Sequence, residues 1–415
     1  MATTPWYTSN SLISAIKRKI SFPISQNTFS EDDLLAFANE EMMISQVPSI
    51  MTYHEEYFVA TKTVTLQDNV SKYAVPDRAI GQKLRDVFWQ DQQGNLFEMT
   101  RIPAEDKSFF NANISTSTDI HKFYIENNSV VLVPTLSGQP APGRLRMYFF
   151  IRPNQLVVDS HAATVSSFKL TLTIQNNATI QAESSNIVVN NTSIVPIVGP
   201  PPITSQFQIG ATAAISATNM AAAITATLSV SEGITAIASG AVVTITSTVH
   251  PLDLTFSDAV SYIQSVNQEL VCSTTIPSDI VAGTLIDILQ TNPGHLIIDY
   301  NVPIPAGGVS GSSIFLADAD VPSTMIVGDY ICNRYECIIP MIPPDLHNGL
   351  AERACARIFE ALGDTAGLQL ANAKIADMEQ KQNTLIDNRV EGSALKVNGR
   401  HSMLRYNANS GRRRF

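Results

Sequence analysis

Apolar residues recur at three- and four-residue steps near both ends of the chain, and in short β-rich runs between them. In residues 11–20, Leu12, Ile13 and Ile16 fall on one side of a helix and Lys17, Arg18 and Lys19 on another. Ser30 with Asp33 three positions on reads as a capping box, and Leu34, Leu35, Ala38 and Met42 then keep helical spacing. Pro48 lacks the N–H a helix interior needs but suits a first turn, so a second helix carrying Ile50, Met51, His54, Tyr57 and Phe58 follows a kink. From Val64 to Ile151 the runs are short and β-rich, with turns at Asn127-Asn128 and Gly138-Gln139-Pro140. Residues 75–87 fit neither period and read as loop.

Around Asp159 the texture shifts to Thr, Ser, Ala, Val, Ile and Asn, and it holds to about Pro305. Within this stretch residues 220–228 suit a short helix, and residues 234–238 and 242–247 a hairpin around Ser239-Gly240. Residues 258–270 read as a second helix, and residues 285–289 and 296–300 as strands. Helical spacing returns after Pro343-Pro344: Asp345 can cap, Leu346, Leu350, Ala354, Ile358 and Leu362 form a stripe, and Gly363 ends it. Asp364-Thr365 opens a further helix with Ala371, Ile375, Met378 and Leu385 on one side, a hairpin partner for packing on the N-terminal helices. The fold class is α+β: a helical core of N-terminal helices and a C-terminal helical hairpin, a β-rich portion, an inserted β-rich domain and an extended arm. The divisions fall at 1–158, 159–305, 306–391 and 392–415.

Composition narrows the function classes. Of 415 residues 15% are charged and 44% apolar, a folded profile. With 27 Lys and Arg against 37 Asp and Glu, the net charge of −10 opposes generic nucleic-acid binding. The charge is unevenly spread: between Arg152 and Arg334 the one basic residue is Lys169, whereas the last stretch carries Arg389, Lys396, Arg400, Arg405, Arg412, Arg413 and Arg414. The first residues lack the layout of a secretory signal and no run reaches the length of a membrane span, so synthesis in a cytoplasm, with no membrane partner, is expected. Four cysteines, Cys272, Cys332, Cys337 and Cys355, are too few for a disulfide scaffold; Cys332 and Cys337 could meet across a hairpin, but free buried thiols are the expectation.

Chemistry-bearing patterns are weak. The histidines at 54, 121, 161, 250, 295, 347 and 401 include no pair at the spacing of a helical zinc site, so no metal is expected. His54, Glu55 and Glu56 are adjacent on a helix and point apart. Residues 307–313, Gly-rich, lack the lysine of a phosphate loop and read as a flexible connector, and Asp91 with Glu98 has nothing to fix it as a hydrolase pair. No catalytic residue and no cofactor is assigned.

Three stretches in order resemble the head-to-tail adaptor proteins of tailed phages. They are residues 30–59 (SEDDLLAFANEEMMISQVPSIMTYHEEYFV) with residues 73–81; Val327-Gly328-Asp329-Tyr330 leading to residues 339–347 (IPMIPPDLH); and residues 350–405, with Ala361-Leu362-Gly363-Asp364, Arg389-Val390-Glu391-Gly392 and Asn398-Gly399-Arg400-His401. The resemblance covers about the first 150 and last 90 residues and omits the middle. It implies a virion protein forming a ring, of twelve copies, beneath the portal, joined to a tail or neck protein below and continuing the DNA channel without sequence-specific binding. It also implies an arm that docks on the portal, here Arg389, Lys396, Arg400, His401, Arg405, Arg412, Arg413, Arg414 and Phe415. Three rival readings are a tail or receptor-binding adhesin, a virion-associated hydrolase and a cytoplasmic assembly factor absent from the finished particle. The adhesin is weakened by the few aromatic residues between 159 and 299: Phe168, Phe207, Phe256 and Tyr262.

Overall fold

The computed structural model describes residues 7–20, 29–54, 56–67, 70–91, 93–106, 122–133, 143–201, 203–291 and 297–386. The fold is α+β, with helices α1 (Ser9–Ile20), α2 (Glu31–Glu41), α3 (Val47–Tyr53), α4 (Ala213–Leu228), α5 (His347–Leu362) and α6 (Thr365–Ile386) among many short strands. The capping box at Ser30 forms: its hydroxyl accepts from the Asp33 N–H at 3.1 Å, and the Asp33 carboxylate accepts from the Ser30 N–H at 2.9 Å. After α2 a π-helical turn at Met42–Gln46 leads into α3, whose first turn holds Pro48, so the break predicted at the proline is a local unwinding.

The chain divides into two units. The described residues of Met1–Ile44 and Pro153–Ile375 form one, those of Ser45–Arg152 and Ala376–Phe415 the other. The larger is organised on the strand Ala162–Ile174, which pairs along its length with Tyr330–Asn333, Asn267–Cys272, Val242–Ser247 and Tyr262–Gln264. Strands from both sides of Pro305 therefore share one sheet.

Burial along this strand changes phase. Ala163 and Val165 are buried at odd positions, Phe168, Leu170, Leu172 and Ile174 at even ones. The opposing register moves from Val271 beside Ser167 to Cys272 beside Val165, so Ser166 is the extra residue of a β-bulge, and its hydroxyl donates to the Val271 carbonyl at 2.9 Å. One inserted residue reverses the alternation, and both halves of the strand bury apolar side chains. Ala163, Val165 and Phe168 enter one core cluster with Leu270, Ile286 and Ile331. Leu170, Leu172 and Ile174 enter a second with Met220, Ile224 and Leu228 of α4.

The hairpin predicted around Gly240 forms, with Ile234–Ser239 against Val242–Ser247 and Gly240 at φ +60°. The helix expected over residues 258–270 does not. Asp258 accepts from the N–H groups of Val260 and Ser261 at 3.0 and 3.2 Å and from the Ser185 hydroxyl at 2.9 Å, closing a turn, and strands Tyr262–Gln264 and Asn267–Cys272 follow. Alternating burial of Gln268, Leu270 and Cys272 carries the strand period. Residues 307–313, expected as a flexible connector, instead make a small hairpin, Val309–Ser310 against Ser313–Ala317, with Gly311 at φ +61°.

Helices α1, α2 and α5 pack together. The α5 stripe is buried at Leu350, Ala354 and Ile358, whereas Leu362 is exposed, and Gly363 at φ +72° ends the helix as its position predicts. Asp345 does not cap α5: residues Pro344–Leu346 form a 3₁₀ turn, with the Leu346 N–H donating to the Pro343 carbonyl at 2.9 Å, and no side chain caps the helix. Asp364 accepts from the Gly367 N–H at 3.0 Å and starts α6, where Ala371 is buried and most other described side chains are exposed.

In the smaller unit Arg144–Ile151 lies between Val59–Thr65 and Ala79–Gln90, with Leu96–Glu98 at the edge, and Ser129–Val133 joins Lys72–Ala74 to Lys122–Glu126. The segment 75–87, expected as loop, is largely strand. Its period is hidden because Gly81 and Gln82 both take positive φ, +59° and +56°, and the register jumps between Ala79 and Leu84.

Candidate assembly site

The nine arm residues singled out by sequence, Arg389, Lys396, Arg400, His401, Arg405, Arg412, Arg413, Arg414 and Phe415, lie outside the described residues. The other stretches of the resemblance can be placed. Residues of the first and third meet where α2 packs on α5. Glu41, 5% exposed, accepts from Arg357 Nε at 2.6 Å and lies 3.5 Å from Arg353 Nη1; Arg357 also reaches Glu360 at 3.2 Å, and Lys19 of α1 pairs with Glu352 of α5. Glu41→Ala is expected to lower stability by about 2–3 kcal/mol, less than for a fully buried ion pair because Arg357 is over a third exposed. Urea unfolding measures it; a loss under about 0.5 kcal/mol, the scale of an ordinary surface substitution, would make the contact a surface pair.

The second stretch acts as a set of structural ties. Gly328 takes φ +100°, a left-handed region that disfavours any side chain, and exchanges strand-like hydrogen bonds with the central strand: Gly328 N–H to the Val165 carbonyl at 2.8 Å, and Val165 N–H to the Asp329 carbonyl at 3.0 Å. Asp329 is fully buried, and its carboxylate accepts from the N–H groups of Thr291 at 2.9 Å and Ile326 at 2.7 Å. His347, buried at the start of α5, accepts from the Tyr7 N–H through Nδ1 at 3.0 Å, while Nε2 faces the carbonyls of Pro340 and Ile342 at 3.2 and 3.1 Å. This pattern assigns the Nε2–H tautomer and ties the chain before α1 to the loop before α5.

A buried carboxylate anchors a further group of contacts. Asp287, fully buried, accepts from Asn154 Nδ2 at 2.8 Å and from the N–H groups of Asn301 at 3.1 Å and Tyr335 at 2.9 Å. Asn301 and Tyr335 sit at φ +60° and +69°, so this one carboxylate holds two backbone positions that side chains rarely adopt. Asn154 Nδ2 also donates to the Glu336 carbonyl at 2.9 Å. The Glu336 side chain lies near His161 and Asp279, a tertiary grouping of metal-ligating residue types from three separate segments. Histidine spacing could not reveal it, since one histidine and two carboxylates distant in sequence leave no local pattern.

All four cysteines are buried, and none is in a disulfide. Cys332 and Cys337 do not face each other in a hairpin, because Tyr330–Asn333 pairs with Leu285–Leu289 and Ala162–Ile174, and Glu336–Cys337 with Gln155–Leu156. Burial pushes the thiols of Cys272 and Cys355 up to about 12 and that of Cys332 well above its ordinary value, so at neutral pH these three are protonated and unreactive. Asp91, weighed with Glu98 as a hydrolase pair, instead closes a turn on Asn95, accepting from its backbone and side-chain nitrogens at 2.8 Å each; the side-chain bond holds the Asp91 carboxyl below the usual range, opposite to what a general acid needs.

No family model and no curated protein matches this chain. Among solved structures, a chain from Mycobacterium phage Patience aligns over 62% of this chain and 95% of its own length, at 12% identity and a TM-score of 0.17, too low for the likeness to bear on fold or function.

Proposed function

We propose that this chain is a structural protein of a tailed-phage virion, a head-to-tail adaptor that forms a ring beneath the portal, joins the capsid to the tail and continues the DNA channel. The observation that carries the reading is the meeting of the resemblance's separate stretches in one place. Residues 30–41 and 347–362 lie far apart in sequence, yet α2 and α5 pack as one helical group closed by Glu41, Arg353 and Arg357. On this reading the helical group is the rigid body of each subunit and the basic arm from Arg389 to Phe415 docks on the portal. A rotationally closed ring needs opposite faces of the subunit to be complementary. The acidic balance suits a conduit that DNA must traverse without sticking. Because ordering of the arm on the portal would supply much of the assembly energy, the isolated chain is expected to be a monomer or a loose oligomer.

Native mass spectrometry of the chain with and without its portal ring, comparing full length with a truncation after Glu391, tests this directly. Stoichiometric binding by the full chain, lost in the truncation, is expected. A full-length chain that ignores an intact portal ring would end the adaptor reading; equal binding by both forms would move the docking surface off the arm.

A further inference from the structure

We propose that His161, Asp279 and Glu336 form a binding site for a divalent cation of the zinc class. This assignment does not depend on the adaptor reading. His161 ends the 3₁₀ turn Asp159–His161 before the central strand, Asp279 lies in the turn before buried Ile280, and Glu336 opens the short strand Glu336–Cys337. Each is held by its backbone: His161 N–H donates to the Val158 carbonyl at 2.9 Å, Ile280 N–H to the Pro277 carbonyl at 3.1 Å, and Glu336 pairs with Gln155.

The donor atoms of the three side chains lie within 4.8 Å of one another. His161 Nδ1 and Glu336 Oε2 are 3.7 Å apart, too far for a hydrogen bond, and both atoms are shielded from solvent without a hydrogen-bond partner. A tetrahedral ion with bonds of about 2.0–2.2 Å sets its donors about 3.3–3.6 Å apart, so this pair needs to close by only a few tenths of an ångström to share an ion. The exposed Asp279 carboxylate offers the third donor within the same 4.8 Å.

Charge points the same way. Two carboxylates this close repel each other, and a divalent ion between them balances both charges. Asn333 Nδ2 donates to Asp279 Oδ2, an outer contact of the kind that orients a ligating carboxylate. An imidazole nitrogen with two carboxylates favours zinc-like ions over magnesium or calcium, which take oxygen donors. The His161 and Glu336 side chains remain 45% and 27% exposed, so ions can enter and water can complete the shell.

The test uses tag-free full-length chain, stripped with EDTA and desalted. After incubation with zinc chloride and desalting, elemental analysis is expected to find one zinc per chain, and thermal melting to rise with zinc but not with magnesium or calcium at the same concentration. His161→Ala and Asp279→Asn, each of an exposed side chain, should keep the parent circular dichroism and weaken zinc binding by about tenfold or more in calorimetry. Absence of retained zinc, uptake by the folded variants equal to the parent, or an equal thermal shift from magnesium would each overturn the proposal.

Discussion

Asp287→Ala is expected to lower the unfolding free energy of the larger unit by about 3–5 kcal/mol. The carboxylate is fully buried and accepts from Asn154 Nδ2 and from the N–H groups of Asn301 and Tyr335. Alanine takes the acceptor from the buried Asn154 amide and from the part-buried N–H groups of Asn301 and Tyr335, a loss of about 1–3 kcal/mol for each donor left unpaired, although Asn154 keeps its bond to the Glu336 carbonyl. Asn301 and Tyr335 also lose the contact that offsets their positive φ. Asp287→Asn keeps the shape and one acceptor oxygen, so it should cost about half as much. Urea unfolding followed by far-ultraviolet circular dichroism measures both. A loss under about 1 kcal/mol for the alanine variant would show that the two left-handed positions are held by something else.

Phe168→Ala should cost about 3–5 kcal/mol, the range for removing a large buried ring from a core that cannot collapse onto the space. Phe168 is fully buried, and it is the first residue after the bulge at Ser166 to resume the inward phase. Its neighbours Leu270, Ile286 and Ile331 sit on strands fixed by backbone pairing, which limits relaxation. Phe168→Leu keeps most of the volume and should cost under about 1.5 kcal/mol. A chemical-denaturation series across both variants checks the ratio; equal losses would mean that ring shape, not buried volume, sets the stability there.

The stretches that resemble phage adaptors contain residues with framework roles. Gly328, Asp329 and His347 belong to the quoted stretches, and each serves the framework, as a left-handed turn, a buried acceptor and a tie between the chain before α1 and the start of α5 respectively. Binding in the proposed adaptor is assigned elsewhere, to the basic arm, where truncation can separate it from stability.

By itself the sequence determined what depends on near neighbours. Helical spacing around Leu34, Leu35 and Ala38, the Ser30–Asp33 capping box, the Gly240 hairpin and the Gly363 stop are set by groups a few residues apart, and all four form as their patterns predict. Tertiary structure alone decided the rest. Asp258 had a polar side chain equally able to start a helix or close a turn, and the partner strands that bury Gln268, Leu270 and Cys272 made it a turn. The strand in residues 79–90 was hidden by two positive-φ residues that break its alternation. Asp287 with its donors, and His161 with Asp279 and Glu336, were illegible for a different reason: their members come from distant segments, and only the pairing of strands around Ala162–Ile174 brings those segments within reach of one another.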